Sequence, residues 1–432
     1  MKILKVFNSK QIRTAAIGSL IVKFLSALFA LINGVLLANL LTVKDFGIYI
    51  LALTTITIIS IPVSLGLPNL ITRYISKYEI NKNIAAIKGI LIRSNQLVLL
   101  TSLLAFIIAF LLYIIWWKNY PENVVSTFWY AFLLMPLLVF GSLRAAALRG
   151  LKFIILGQLP ETFLRNIFLT FSLLVAIFYD INMSPHIAMI LHSIAAALAF
   201  IIGYLFLKRK LLTRLKNITP VFKNKLWFKE TIPFSITSGV QVIKTKLLTF
   251  ILVIFGSLEA VAIFDIAMRG ATLVSFTLDA LNTAISPYLS SAFEQNKKET
   301  LQRIVTKSTR IIFVFSLPVA LIFIFFGKSI LELLFAKAYV VSYIPLVILC
   351  IGQLVNSLTG SVGTVLNMTG NQKYFSKIQI QMMILSALLS VPLIIYYSVI
   401  GAALTFSFVI ISQNIILVIL VRKKLKINTT IY

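Results

Sequence analysis

Three kinds of side chain are scarce in this sequence of 432 residues: cysteine, histidine and the acids. The single cysteine, Cys350, lies inside an apolar run, which excludes a disulfide framework and a cysteine-based metal site. The two histidines, His186 and His192, stand six residues apart, with no cysteine or carboxylate at the spacing of metal ligands. We therefore expect neither a metal nor a cofactor.

Sequence motifs of catalysis are also missing. The chain has no Gly-rich phosphate loop, no DxD pair and no GxSxG motif. No stretch between apolar runs is long enough to fold as a soluble domain, so the net charge of +28 does not indicate nucleic-acid binding, which requires a basic face on such a domain. The loops opposite the basic ones are too short to hold the two substrates of a membrane glycan polymerase or ligase. We expect that the protein is not an enzyme.

Apolar residues are what the chain has in abundance. Hydrophobic residues make up 59% of it, charged residues only 12%, and the mean hydropathy is +1.00. The basic segment 1–13 leads into an apolar stretch too long for a signal peptide, and we interpret it as a cytoplasmic tail. The composition predicts an all-α, polytopic membrane protein.

About twelve transmembrane helices are predicted when each crossing is required to have about 20 largely apolar residues. The predicted spans are 15–41, 47–70, 90–115, 124–143, 153–178, 186–207, 231–255, 262–285, 311–327, 340–365, 374–397 and 399–421.

Basic residues fall in alternate loops between these spans. The segments on the side of the N-terminus hold 29 Lys and Arg, whereas the opposite loops hold 4. Because Lys and Arg near the ends of a span resist translocation, this asymmetry predicts that both termini are cytoplasmic. The same rule explains the basic stretch KRKLLTRLK at 208–216, whose charges keep this loop in the cytoplasm and contact anionic lipids. No specific protein partner is needed to explain it.

The pattern of the first half begins again after about 215 residues. The stretch LLTVKDFGIYI at 40–50 resembles VIFGSLEAVAIFDIAMR at 253–269, and Gly47–Tyr49 align with Ala262–Phe264 at an offset of 215. Further on, RGLK (149–152) matches TGNQ (369–372) in position. Six spans return the chain to its starting side, so the halves are predicted to be parallel repeats.

This duplication predicts three parts of the chain: an N-terminal six-helix lobe at 1–207, a basic cytoplasmic linker at 208–230 and a C-terminal six-helix lobe at 231–432. Two such lobes enclose a cavity that opens alternately to either side when they rock. We therefore expect a transporter.

Charged residues within the predicted spans are the candidate functional residues, because each costs at least roughly 2.5 to 3.5 kcal/mol at the bilayer centre. Glu161 with Arg165, and Asp265 with Arg269, are each an acid followed four residues later by a base, so they are predicted to form intrahelical ion pairs or to act in coupling.

Three lysines have no acid nearby in the sequence: Lys23 in the first span, and Lys244 and Lys246 in the seventh. Since these two spans are equivalent under the duplication, we expect them to line a cationic cavity for an anionic headgroup, together with Arg165 and Arg269. Lys244 and Lys246 lie about 200° apart on a helical wheel, so one of them is expected to face the cavity.

Five stretches resemble one family of transporters in their order and spacing along nearly the whole chain. They are LLTVKDFGIYI (40–50), SLGLPNLITRYIS (64–76), LRGLKF (148–153), LNMTGNQKYFSK (366–377) and IGAALTFSF (400–408). The sequence is thereby similar to the Wzx-type polysaccharide flippases of the multidrug/oligosaccharidyl-lipid/polysaccharide (MOP) exporter superfamily, whose fold is also that of the MATE transporters.

This resemblance implies a flippase of the bacterial inner membrane that moves undecaprenyl-diphosphate-linked oligosaccharide repeat units for O-antigen or a related surface polysaccharide. In that family a cationic central cavity is thought to receive the diphosphate and acidic sugars. The partners it implies are the lipid-linked glycan, membrane lipids, a polysaccharide polymerase and a chain-length regulator.

Two alternatives share the fold. A MATE-type multidrug or cation antiporter exports cations and usually carries acids within its lobes, whereas the charged residues within the spans here are mostly basic. A lipid II flippase generally has two additional helices.

Overall fold

A computed structural model describes residues 10–115 and 120–430. The side chains of residues 10–17, Leu20, Pro233, Ile236, Thr237, Gln241, Lys244 and Pro287 lie outside this description. The described residues form helices joined by short turns, and none of them lies in a β-strand.

The described chain divides into two compact units, one ending at Lys246 and the other beginning at Leu247. The first, here called the first unit, contains α1 (Lys10–Leu40), α2 (Val43–Ser64), α3 (Leu67–Ile80), α4 (Ile84–Ile115), α5 (Glu122–Gly150), α6 (Ile154–Gln158), a π-helical turn (Leu159–Leu164), α7 (Arg165–Phe178), α8 (Pro185–Lys210), a 3₁₀ turn (Leu212–Leu215) and most of α9 (Asn224–Phe255). The division thus lies inside α9, and the predicted limits 1–207, 208–230 and 231–432 remain a prediction.

The second unit is also built of helices joined by short turns. It contains the end of α9, α10 (Leu258–Glu294), α11 (Lys298–Leu334), a 3₁₀ turn (Lys337–Ser342), α12 (Tyr343–Thr359), α13 (Val362–Met368) and α14 (Gln372–Leu425).

Ten described helices are long and apolar enough to cross a membrane. One of them, the 54-residue α14, is two helices joined at Ser398, whose φ of 47° and ψ of −122° are not helical. This break lies between the predicted spans 374–397 and 399–421. The remaining predicted span, 231–255, lies in α9, whose apolar helical part is Thr245–Phe255. The all-α polytopic fold is confirmed.

Helix caps confirm the duplication. Thr42 caps the N-terminus of α2 by accepting a hydrogen bond from the Asp45 backbone N–H at 3.1 Å, and Ser257 caps α10 through the Ala260 N–H at the same distance. Both caps satisfy a backbone donor that the first helical turn leaves unpaired. Thr42 and Ser257 are 215 residues apart, which is the offset predicted from the sequence.

The next turn repeats as well. Lys82 and Asn296 both adopt a left-handed backbone conformation, with φ of 53° and 55°. The residue after each donates its N–H back to the preceding helix, Asn83 to Tyr78 at 2.8 Å and Lys297 to Ala292 at 2.9 Å. Equal helix-ending geometry at an offset of 214 shows that the halves share their local structure as well as their hydropathy.

The predicted second span, 47–70, is too long and is corrected by the structure. Helix α2 ends at Ser64 because Leu65 and Gly66 both take left-handed conformations, and Pro68 then stands in the first turn of α3. Gly66 has no room for a side chain, since a Cβ there would overlap the backbone of Ser235. The segment 71–80, predicted as loop, is the continuation of the amphipathic α3.

A second correction concerns residues 144–152, predicted as a cytoplasmic loop. Helix α5 continues to Gly150, so that Arg144 lies within it. The turn that follows ends with a left-handed Lys152, and its counterpart in the second unit is Gly370 with φ of 76°. The offset here is 218, and the predicted match of RGLK with TGNQ is therefore displaced by two residues.

The predicted linker 208–230 is partly helical and is fastened to α3 and α4. Arg214 forms an ion pair with Glu79 at 3.0 Å, and Arg73 forms one with Glu230 at the same distance. Between them the Val221 N–H donates to the Ala85 carbonyl at 3.1 Å. We refer to the end of the first unit that carries this segment as its basic side.

Candidate functional site

A π-helical turn breaks the α-helical geometry between α6 and α7. Pro160 has no backbone N–H, so the regular i to i−4 bonding of the helix is interrupted there. The Arg165 N–H instead donates to the Pro160 carbonyl, five residues back, and the turn from Leu159 to Leu164 is wider than an α-helical one. Such turns are rare in proteins as a whole, and those that occur are often found at functional sites.

Glu161, in this turn, forms an ion pair with Arg144 of α5. The Arg144 guanidinium also donates to the Phe200 carbonyl of α8 at 2.9 Å, and its side chain is only 4% exposed. The hydrogen-bonded partner of Glu161 is therefore Arg144, and the predicted pairing with Arg165 takes the form of an electrostatic interaction. The i, i+4 rule assumes α-helical spacing, which the wider turn changes.

Two glycines make room for this ion pair. A Cβ on Gly203 of α8 would overlap the Arg144 guanidinium, and a Cβ on Gly141 of α5 would overlap the Glu161 carboxylate. The two charged groups therefore lie where neighbouring helices carry no side chain. The space for the pair is built into the packing of α5, α8 and the π-helical turn.

Arg165 adds a second positive charge beside the pair. It lies close enough to Glu161, Tyr49 and His192 to interact with them electrostatically. Its Nε is buried and has no hydrogen-bond partner in the part of the chain that the structure describes. Arg144, Arg165 and Glu161, which we call the charge cluster, hold one more positive than negative charge.

The side chains of Tyr49 and His192 lie beside Arg165, on one side of the charge cluster. The Tyr49 hydroxyl and the His192 Nδ1 are 2.7 Å apart and hydrogen bonded. His192 of α8 thus packs against Tyr49. Among the described residues no group of three or more His, Cys, Asp or Glu side chains is arranged to hold a metal ion.

A line of polar contacts, here called the polar seam, joins α1 to the helix that carries the cluster. The Ser19 hydroxyl donates to Gln158 at 2.6 Å, and the Ser26 hydroxyl donates to the Thr162 carbonyl at 2.8 Å. Such contacts between membrane helices replace hydrogen bonds that lipid cannot supply.

The seam continues toward the other end of α1. The Asn33 side-chain amide donates to the Asn166 carbonyl at 3.0 Å, and the Thr170 hydroxyl donates to the Asn33 side-chain carbonyl at 2.7 Å. Ser19, Ser26 and Asn33 recur every seven residues, which places them on one face of α1. This spacing was the signal in the sequence from which the seam could have been found.

Lys23 lies on that same face of α1, four residues after Ser19 and three before Ser26, and is partly buried. It therefore stands beside the seam at the level of the π-helical turn. Of the two lysines predicted in the seventh span, Lys246 lies on α9. The Lys244 side chain lies outside the described residues.

Asp265 and Arg269 form the intrahelical pair expected from their spacing, with Oδ2 and Nε 2.6 Å apart on α10. Both side chains are about one quarter exposed, in contrast to the buried Arg144. The pair belongs to the second unit, whereas Lys23, Arg165 and Glu161 belong to the first. The role of these residues in substrate binding stays a prediction.

Two family profiles match parts of this chain. The profile of the polysaccharide biosynthesis protein family matches residues 14–293, and the MatE profile matches residues 233–396. A relative from Staphylococcus aureus, the capsular polysaccharide biosynthesis protein CapF, is 25% identical over 52% of this chain. The match covers 59% of the length of CapF.

Solved structures with the same fold are transporters. An inward-facing multidrug resistance MATE family transporter of the MOP superfamily superposes with a TM-score of 0.77 at 15% identity, covering 95% of this chain and 98% of its own. The MATE multidrug transporter DinF-BH gives 0.67 at 17% identity, covering 97% and 96%. A MOP superfamily transporter from Pyrococcus furiosus, described by the reverse polarity of its binding pocket, gives 0.67 at 15% identity, with 96% of both chains covered. At these identities the likeness shows the fold alone.

Proposed function

Because the chain belongs to the polysaccharide biosynthesis protein family, we propose that it is a flippase for undecaprenyl-diphosphate-linked oligosaccharide repeat units. The observation that carries this proposal is the match of that family over residues 14–293, on a fold shared with MOP-superfamily transporters. The name of the relative CapF refers to capsular polysaccharide, which belongs to the same class of product. We place the protein in the bacterial inner membrane with both termini in the cytoplasm.

The charge inside the first unit supports an anionic substrate. Arg144 and Arg165 share a single carboxylate, Glu161, and Lys23 stands on the neighbouring helix. A diphosphate carries negative charge, and arginine is well suited to phosphate because its guanidinium donates several hydrogen bonds in a fixed plane. An exporter of cations would have to place its substrate against this excess of positive charge.

The proposed mechanism is alternating access through a cationic central cavity. Lys23, one of Lys244 and Lys246, Arg269 and Arg165 are its proposed contacts to the diphosphate and to acidic sugars. The ion pair of Arg144 with Glu161 connects three helical segments through its hydrogen bonds, so we assign this pair to positioning Arg165 rather than to binding the substrate. A polysaccharide polymerase and a chain-length regulator are the proposed downstream partners.

The leaflet on which lipid-linked repeat units accumulate tests this function. In a strain that lacks the protein, the units are expected to collect in the cytoplasmic leaflet, where an impermeant glycan-modifying reagent added outside does not reach them. The wild-type gene should restore access, whereas Lys23→Ala or Arg165→Gln should not. Units that reach the outer leaflet without the protein would contradict the proposal.

A cation exporter is the second candidate, favoured by the MatE match at residues 233–396 and by the partly buried acid Asp265. That function predicts resistance to cationic dyes, lost in Asp265→Asn. If the wild-type protein confers dye resistance that Asp265→Asn abolishes, and lipid-linked units cross equally in strains with and without the protein, this second function replaces the first. A lipid II flippase is a third, less favoured alternative, and it predicts a block in peptidoglycan rather than in surface polysaccharide.

A further inference from the structure

A cavity of about 450 Å³ lies on the basic side of the first unit, between the start of α3, the first half of α4 and the first two turns of α9. Its walls are largely apolar, formed by Leu67, Leu70, Ile90, Leu97, Trp227 and Phe228. None of the proposed substrate contacts whose side chains are described lines it. An apolar cavity of this size accepts part of a hydrocarbon chain.

The polar residues of this cavity are cationic or neutral. Arg93 and Lys225 line it together with Asn224, and none of the described acidic side chains does. The Arg93 guanidinium donates to Asn224 at 3.1 Å and to Gln96 at 2.9 Å, both neutral amides, and lies over the Phe222 ring. Asn224 and Lys225 also begin α9, and the positive end of the helix dipole favours an anion there.

The depth of these residues matches a phospholipid headgroup. From Leu97 to Ile115 helix α4 rises about 27 Å, close to the roughly 30 Å of a hydrocarbon core. Arg93 stands one turn outside this stretch. Leu100 and Leu104 continue from Leu97 along the same face of α4 and are exposed, so the apolar wall of the cavity extends onto the surface that faces lipid.

The linker holds this arrangement in place. Its backbone crosses α4 at Gly89, where a Cβ would overlap the Val221 carbonyl. The Trp227 indole N–H donates to the Tyr78 hydroxyl at 3.1 Å, which fixes the indole between α3 and the cavity. The cationic groups and the apolar wall are therefore positioned by the fold before any ligand arrives.

We infer that this cavity binds one anionic phospholipid of the surrounding bilayer, with its phosphate on Arg93 and Lys225 and an acyl chain along Leu97 toward Leu100. The occupant is a phospholipid rather than a soluble phosphate, because the walls are apolar and continuous with the lipid-facing side of α4. The inference does not depend on the identity of the transported molecule.

The test uses Trp227 as a probe inside the cavity. In the full-length protein with Trp116, Trp117 and Trp129 replaced by Phe, Trp227 fluorescence is titrated in detergent with phosphatidylglycerol carrying brominated acyl chains. Phosphatidylcholine with the same brominated acyl chains is the comparison without net negative charge. Soluble glycerol phosphate, added together with bromide ions, is the comparison without acyl chains. We expect quenching at concentrations about 25-fold lower for phosphatidylglycerol than for phosphatidylcholine, since each of the two cations contributes about a fivefold preference for an anion.

The variants separate charge from shape. Lys225→Gln should reduce the preference for phosphatidylglycerol several-fold without disturbing Arg93, and Arg93→Gln combined with it should remove the preference. Leu97→Trp should displace the acyl chain and weaken binding of both lipids. Its binding is measured by native mass spectrometry, so that Trp116, Trp117 and Trp129 need not be replaced. Lys229→Gln, which removes the same charge from α9 outside the cavity, is the matched control and should change nothing.

Three outcomes would overturn the inference. They are equal quenching by the two lipids in the wild-type cavity, an unchanged preference in Lys225→Gln and in the double variant, and competition by soluble glycerol phosphate at the concentration at which the lipid binds. The last result would assign the cavity to a soluble phosphate ligand.

Discussion

Arg144 of α5 and Glu161 of the π-helical turn form an ion pair that occupies the space left by two glycines, Gly203 and Gly141. The same guanidinium donates to the Phe200 carbonyl at 2.9 Å. One arginine thus connects α5, α8 and the helix that carries Arg165. The position of Arg144 between these three helical segments explains why an ion pair is retained inside an apolar bundle.

Breaking this pair from one side should be costly. Glu161→Gln leaves the Arg144 charge buried without its counter-ion, and loss of one partner of a buried pair typically costs about 3 to 5 kcal/mol of unfolding free energy. We expect a large fall in the unfolding temperature of the purified protein in detergent. Adding Arg144→Met to Glu161→Gln should recover part of the loss, because no uncompensated charge remains.

The matched control is Asp265→Asn. That pair is about one quarter exposed and joins neighbouring turns of one helix, and i, i+4 pairs contribute about 0.3 to 0.5 kcal/mol. Equal losses of stability in Glu161→Gln and Asp265→Asn would contradict the assignment of the first pair to the core of the unit.

Gly203 should tolerate no side chain. In Gly203→Ala the new methyl group overlaps the Arg144 guanidinium, which cannot withdraw without losing its bonds to Glu161 and Phe200. We expect lower expression and a lower unfolding temperature. Gly239→Ala is the control within the same unit, since its Cβ would meet only the flexible Ile61 Cγ2 at 3.2 Å. The interpretation fails if the two alanine variants are equally stable.

Asn33 and Thr170 should be energetically coupled across the polar seam. Their side chains are hydrogen bonded at 2.7 Å and both are buried. Double-mutant cycles of such bonds between membrane helices average about 0.6 kcal/mol and reach about 1.7. Asn33→Ala, Thr170→Ala and the double variant, unfolded in mixed micelles, should give a coupling in this range, whereas additive effects would show that the seam contributes no net stability.

Much of the fold was predictable because it depends on local rules. The offset of 215 residues holds at the caps Thr42 and Ser257, and a break near Ser398 follows from the length of the apolar run 374–421, which fits two crossings of about 20 residues. Arg144 was misplaced because α5 is longer than one membrane crossing needs, so an arginine in its last turns was interpreted as loop.

The partner of Glu161 was not predictable from spacing. The pairing of Glu161 with Arg165 assumed an α-helix, and Pro160 converts that turn to π-helical geometry. The glycines that accommodate the pair are also distant in the sequence, and only the packing of α5 against α8 shows why they are needed. The seam on α1, by contrast, is visible as a seven-residue spacing of Ser19, Ser26 and Asn33.

Tyr74, on α3 outside the membrane-spanning helices, predicts a dependence on alkaline pH. Burial, together with a hydrogen bond to Glu230, raises the pKa of Tyr74 to about 12. Because the unfolded pKa is about 10, its contribution to stability is complete below that pH and is lost as the pH rises through about 12. Tyr74→Phe should therefore lose less stability between pH 10 and 12 than the wild type.

The control for this pH effect is Tyr204→Phe, which removes the hydroxyl of an exposed tyrosine. Its unfolding temperature should follow the wild-type curve over the same range. A curve for Tyr74→Phe that coincides with the wild type from pH 9 to 12 would show that Tyr74 ionises without cost in the folded protein.

The membrane potential is expected to drive transport of an anionic headgroup outward. An inside-negative potential contributes up to about 2.3 kcal/mol per charge per 100 mV, and it also favours return of an empty cationic cavity. Collapsing the potential while ion gradients are kept should slow flipping in proteoliposomes. Unchanged rates would remove the potential as the driving force and leave ion coupling.

Movement of a lipid-linked glycan between leaflets is the most direct test of the central claim. Proteoliposomes would contain the purified protein and a fluorescent undecaprenyl-diphosphate oligosaccharide in both leaflets, and an impermeant glycosidase would be added outside. With the wild type all of the glycan should be cleaved, whereas empty liposomes and Arg165→Gln should stop near half. If wild-type proteoliposomes also stop near half while they transport a cationic dye, the chain is a cation exporter and the flippase proposal is wrong.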